Sequence, residues 1–449
     1  MLSFRDVNPS ITLAIVILVV LSFLFGGSPN VPGIAFTSIF LVATVVIALA
    51  AKNGVISAFL RLGFWSKLSF VLLLSVPLLQ LIPVPPSIWQ SFPGRELSNE
   101  TRSIIGYSQN WYPISLDQLN TGFTFFVLFP GAAAFLGWLI LKDEERKLVI
   151  ISIAFMAFLS IIIGLTQFAS SGAYLDLFDN SHRGNFQGFF ANRNHAALML
   201  CCVFVISLFL GRIVHFHQRD KQLLIRFFAA TLVLLCGLAI LTTFSRAGLG
   251  LMVLALAMAL LSNQIVRLRG RWMYIGILFV APITSLIILQ SGVVSRLFDR
   301  FGMVSEDTRF EFWQRTLEIA RDYFPVGSGL GTFRPIFAHY EKLSDLRPTY
   351  VNHAHQDYLE LLLETGALGI VILFTFLLAV TIAAMTIWRS RSENSVPYPY
   401  IGGIVVTLTL IHSLVDYPLR TQTIAVIFGL AAAMLAEAGR SSSRKVPRK

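Results

Sequence analysis

Eight histidines and a set of arginines carry most of the chemistry that this sequence can offer. His355 closes the triplet His353-Ala354-His355. An imidazole that is neutral near physiological pH can take the proton from an attacking hydroxyl as its oxygen becomes nucleophilic. That role needs one histidine; the alternative is that either one caps a helix or bonds a loop carbonyl. A zinc pair fits poorly, because residues two apart do not share a helical face and no third ligand stands at a usual spacing. Arg246 lies in Thr242-Thr243-Phe244-Ser245-Arg246-Ala247-Gly248, between two apolar runs with almost no loop to hold it. A cation there is costly unless it faces a polar cavity or an anion, with snorkelling to the interface as the alternative. Arg193, in Asn192-Arg193-Asn194-His195, and Arg309 belong to the same vestibule, although Arg193 serves equally well as an interfacial anchor. A planar guanidinium donates two parallel hydrogen bonds to phosphate oxygens, so three arginines around one mouth suit a diphosphate. Glu360 and Glu364, four apart, share a helical face and can hold acceptor hydroxyls; His412 and Asp416 have the same spacing and read best as a structural pair.

The elements that position these residues follow from composition. The chain has 449 residues, 55% hydrophobic and 13% charged, with a mean hydropathy of +0.71, against about 25% charged in soluble domains. Apolar runs near the ~20 residues that cross a bilayer recur along its length. Barrel strands would be shorter and alternating. The expected architecture is all-α and polytopic, with spans at Ile11–Gly27, Pro32–Ala51, Lys67–Ile82, Gly122–Leu141, Leu148–Phe168, His195–Leu210, Leu223–Thr243, Ala247–Leu261, Trp272–Leu289, Tyr358–Ile387, Tyr400–Tyr417 and Thr421–Glu437. The first reads as an uncleaved helix, since no A-x-A-like site follows it. A net charge of +11 does not imply nucleic acid, because the basic residues form short patches between spans and no stripe. Cys201, Cys202 and Cys236 fall inside spans and read as small buried hydrophobes.

Charge sets the orientation. With both termini cytoplasmic, most of the 35 Lys and Arg residues fall on the cytoplasmic side and every cytoplasmic connection contributes, as the positive-inside rule requires. Three units follow: residues 1–290 with nine helices and outer loops 84–121 and 169–194; a large periplasmic loop, 291–357, between helices nine and ten; and residues 358–449 with the last three helices and a basic tail. Loops this long are usually functional, which places the chemistry outside. Within the large loop, Thr308-Arg309-Phe310-Glu311 matches a capping box, and Phe310, Trp313, Leu317 and Ala320 fall on one face of an amphipathic helix at the membrane surface. Pro325 ends it. The following Gly327-Ser328-Gly329-Leu330-Gly331-Thr332-Phe333 is a glycine-rich turn that lacks the Gly-Lys-Ser/Thr ending of a nucleotide loop. Either Gly329 and Gly331 pack the turn onto the helix mouths, or their backbone contacts a ligand.

Together, Ser245-Arg246-Ala247-Gly248, Arg309 with Trp313, Pro325 to Phe333, and His353-Ala354-His355-Gln356-Asp357-Tyr358-Leu359-Glu360 with Glu364-Thr365-Gly366 resemble the signature of the O-antigen ligase and polysaccharide polymerase family. The resemblance implies a bacterial inner-membrane enzyme that takes glycan from an undecaprenyl-diphosphate carrier at the periplasmic face. The acceptor would be lipid A core or a second lipid-linked glycan. It further implies that His355, with Leu359, is the catalytic histidine and that Arg246 and Arg309, with Arg193, hold the diphosphate, while His353, Glu360, Glu364, Gly329 and Gly331 support the site or the acceptor. Gln356 stands where the family often has Asn. A metal-independent, inverting single displacement with no cofactor is expected, since the lipid diphosphate is already the leaving group. Membrane lipids are the other expected partners. The competing reading is a transporter of a small anion or solute, which would favour inverted repeats and interrupted helices near the midplane.

Overall fold

The computed structural model describes residues 9–29, 33–178, 182–262, 309–342, 350–389 and 397–438. Apart from a two-stranded antiparallel ribbon that pairs Pro83 with Pro113 and Val84 with Tyr112, the regular structure among them is helical. Six of the described helices are long and apolar enough to cross a membrane: Gly33–Lys52, Gln118–Trp138, Asp143–Ala169, Arg193–Ile213, Arg219–Thr242 and Ala367–Arg389. Five shorter apolar helices accompany them, Pro9–Phe25, Phe64–Gln80, Arg246–Leu261, Tyr398–His412 and Gln422–Ala436. The expected spans fall on these helices, except the ninth, Trp272–Leu289, which lies outside the described residues together with Thr308 of the expected capping box.

The Arg193–Ile213 helix is the centre of the bundle. Its apolar window is 89% buried, against 17% for Ala367–Arg389, and it packs against Arg219–Thr242, Arg246–Leu261 and Tyr398–His412. A helix apolar all round belongs in that position. Cys201, Cys202 and Cys236 are buried free thiols in this core, as their setting suggested. Where helices approach closely, glycine permits it: a Cβ on Gly429 would collide with the carbonyl of Gly131, and one on Gly402 with that of Ala431. Apolar solvent gives membrane helices little reason to associate, so close packing of small residues supplies it.

One expectation needs correction. The tenth span is not continuous. It divides into Asp357–Thr365 and Ala367–Arg389 at Gly366, which has a φ of 55°. There the Ala367 amide donates to the Pro325 carbonyl at 2.8 Å, and a Cβ on Gly366 would strike that carbonyl oxygen. The short first part packs against Arg309–Tyr323. Arg309–Tyr323 is a helix as expected, with Thr316, Ile319, Ala320 and Tyr323 buried. Phe310 and Leu317 are exposed. The buried side packs onto protein, forming a second small core with Phe333, Ile336, Phe337, Ala354 and Leu363.

Segment 84–121 is fastened to this second core by Arg95. Arg95 is fully buried, donating from Nη2 to the carbonyls of Ile114 (2.6 Å) and Gly327 (3.0 Å), with its guanidinium 5.7 Å from the Tyr323 ring. Burial pushes it down to about 10. Arg102 lies between the rings of Trp89 (4.0 Å) and Tyr112 (3.6 Å), a cation–π sandwich.

Candidate active site

The site forms where four chain segments meet at one end of the bundle, around Asp416. This carboxylate is fully buried and sits in the turn that follows the Tyr398–His412 helix. Its Oδ2 accepts from Asn194 Nδ2 at 2.9 Å and lies 3.6 Å from Arg309 Nη2. Its Oδ1 accepts from the Tyr417 amide at 3.0 Å and lies 3.5 Å from both His195 Nε2 and His355 Nδ1. Asn192 Nδ2 stands 3.4 Å from Oδ2. A buried charge survives only when paired and hydrogen-bonded, and Asp416 meets both conditions.

This arrangement corrects the pairing of His412 with Asp416. Between the two residues only the backbone bond from the Asp416 amide to the His412 carbonyl, 3.0 Å, is made, while both ring nitrogens of His412 lack hydrogen-bond partners among the described residues. The i, i+4 rule needs a helix running through both positions, and this helix stops at His412.

His355 is brought to Asp416 by a strained turn. Its φ is 52°, a left-handed conformation that costs a non-glycine residue roughly 1–3 kcal/mol. Trp313 Nε1 donates to the His355 carbonyl at 3.2 Å, and the imidazole faces the Tyr417 ring at 4.9 Å. Nδ1 is buried toward Asp416, yet the side chain keeps 23% exposure. Gln356 caps the next helix by accepting the Leu359 amide at 3.1 Å, which is work an Asn does equally well. Arg309 also donates from Nη1 to the Val415 carbonyl at 2.8 Å, so His355 and Arg309 are held by the same turn.

Arg193 and Arg246 open two adjoining helices at this end. Asn192 caps the first through the Asn194 amide, and Ser245 caps the second through the Gly248 amide. The helices are close enough that a Cβ on Gly248 would overlap that of Ala197. Phe244, with a φ of 51°, makes the sharp reversal that leaves Arg246 at the first position of its helix.

The remaining expected residues form a neighbouring network across the Tyr417 ring. His353 packs tilted against that ring at 4.4 Å and its Nδ1 meets Glu360 Oε1 at 2.8 Å. The other Glu360 oxygen accepts the Ala354 amide at 3.0 Å. Glu364 Oε1 accepts the amides of Gly331 (2.9 Å) and Phe333 (3.2 Å). The turn 327–333 is thus satisfied from within the protein: Ser328 donates to Leu363, Gly329 to Glu364 and Leu330 to Gln80. Of its two readings, the geometry matches packing onto the helix mouths.

Sequence reasoning missed Arg420, which lies in the short turn Pro418–Arg420 and reaches Glu360 (3.3 Å), Glu364 (3.2 Å) and Asp357 (3.7 Å). A charge placed between two spans with no loop was the available signal, the same one that drew attention to Arg246. Tyr417 and Gln80 were also missed, having no motif of their own. Beside this network runs a cavity of about 550 Å³, polar at Asn352, His353, Glu360 and Arg420 and apolar along Phe70, Leu373, Phe376 and Phe428.

A family model described as O-antigen ligase matches residues 230–374. That stretch contains Arg246, Arg309, the glycine turn and His355. No curated protein matches the chain.

Proposed function

From the match of residues 230–374 to the O-antigen ligase family model, we propose that the chain transfers or polymerises glycan from an undecaprenyl-diphosphate carrier at the periplasmic face of the inner membrane. The observation that carries this reading is the convergence of His355 and Arg309, distant in sequence, on the single buried carboxylate of Asp416. An imidazole with one nitrogen turned to a carboxylate has its other nitrogen for substrate, and the carboxylate stabilises the imidazolium that forms.

In the proposed reaction the acceptor hydroxyl oxygen attacks the anomeric carbon while the bond to the diphosphate oxygen breaks. His355 takes the hydroxyl proton, and the electron pair leaves with the lipid diphosphate. One displacement inverts the anomeric configuration. Arg309, with Arg246 and Arg193, would balance charge growing on the leaving group; each such contact is worth ~10²–10³ in rate. The apolar length of the cavity suits a polyprenyl chain or a lipid-anchored acceptor. His353, Glu360, Glu364 and Arg420 hold the His355 turn and the glycine turn in register. No step requires a metal or a nucleotide.

The test is transfer by the purified, lipid-reconstituted protein supplied with undecaprenyl-diphosphate glycan, alone or with lipid A core. A product ladder from donor alone means polymerase, and a product only with lipid A core means ligase. If neither condition consumes donor, the proposal is wrong.

A further inference from the structure

The mechanism above leaves two buried histidines unused, His195 and His412, and His195 is the one whose ring approaches Asp416. His195 is fully buried near the start of the Arg193–Ile213 helix, where a leucine would pack without the cost of desolvating an imidazole. Its Nε2 lies 3.5 Å from Asp416 Oδ1, the same oxygen that stands 3.5 Å from His355 Nδ1. Neither ring nitrogen has another hydrogen-bond partner among the described residues, so Asp416, reached by Nε2 at ion-pair distance, is the polar group this ring addresses. Tyr417 meets the ring edge-on at 5.0 Å and fixes its plane.

We propose that His195 is a positioning residue that shares Asp416 with His355 and sets how strongly that carboxylate attracts the proton His355 removes from the acceptor. This inference rests on the reading of His355 as the base. The turn Asn192 to His195 cradles the carboxylate with two amides and one imidazole, while Arg309 approaches Oδ2. The titratable and charged groups around His195 are Asp416, His355, Arg309, His412 and Tyr417, with His353 and Glu360 beyond the Tyr417 ring. A donor on Oδ1 draws off part of the carboxylate charge. Without it, Asp416 pulls harder on the His355 proton, and the base is protonated at higher pH.

The experiment measures kcat and KM for transfer as functions of pH in the reconstituted wild type, His195→Leu, His195→Gln and His355→Ala. Removing the donor with Leu should lower kcat on the order of 10-fold with KM unchanged and move the acidic limb of the profile to higher pH. The Gln amide can still donate to Asp416 and should restore both. If His195→Leu fails to fold, His195→Phe, which keeps an aromatic edge against Tyr417, takes its place. An inactive His355→Ala beside a donor-less variant with an unmoved acidic limb, or with a loss that Gln does not relieve, overturns the role of His195 alone. A fully active His355→Ala overturns the base assignment and this proposal with it.

Discussion

Asp416 Oδ1 lies 3.5 Å from His355 Nδ1, joining a loop histidine to the turn after the Tyr398–His412 helix. Asp416→Asn keeps the size of the side chain and one acceptor oxygen but removes the charge that stabilises an imidazolium. Transfer should fall by ~10²–10⁴ while the protein remains folded, as judged by its melting temperature in detergent. Wild-type kcat in the Asp416→Asn variant would remove the carboxylate from the mechanism.

Asp416→Leu is expected to behave differently. It leaves the Asn194 side-chain amide without its acceptor and removes the carboxylate beside Arg309, and a buried polar group left unsatisfied costs about 1–3 kcal/mol. The melting temperature should drop clearly, which separates loss of fold from loss of chemistry.

Glu364 gives a prediction about architecture. Its carboxylate satisfies two amides of the glycine turn and meets Arg420 Nη2 at 3.2 Å. Glu364→Ala strands those amides at about 1–3 kcal/mol each, whereas Glu364→Gln keeps one acceptor oxygen. Thermal unfolding should rank wild type above Gln and Gln above Ala. Equal stability of all three would show that the turn does not depend on this brace.

Gly331 has a φ of 80°, and a Cβ there would press on Thr124 and the Asn120 carbonyl. Gly331→Ala therefore incurs both backbone strain and overlap, with an expected loss on the order of 1–3 kcal/mol. Gly250→Ala, at a helical position with open space around its Cβ direction, is the control and should leave stability unchanged or slightly raised.

Much of this was legible in the sequence because apolar length is a strong signal: the runs expected at Leu148–Phe168 and Leu223–Thr243 fall on the helices Asp143–Ala169 and Arg219–Thr242. His355 and Arg309 were legible from their motifs, and Glu360 and Glu364 share a face because their helix continues through both. Asp416 was misread because its role depends on where a helix stops, which a four-residue spacing does not reveal. The broken tenth span was hidden for a related reason. Gly366 reads as an ordinary small residue until Pro325, far away in sequence, is seen to occupy the space a side chain would need. Arg420 lacked a motif, and its three carboxylate partners become neighbours only through tertiary packing.

The most direct test of the central claim is single-turnover transfer by the reconstituted protein, following release of undecaprenyl diphosphate in the wild type and in His355→Ala at equal donor occupancy. A drop of ~10² or more with donor binding retained is the predicted result, and release at the wild-type rate would contradict His355 as the base.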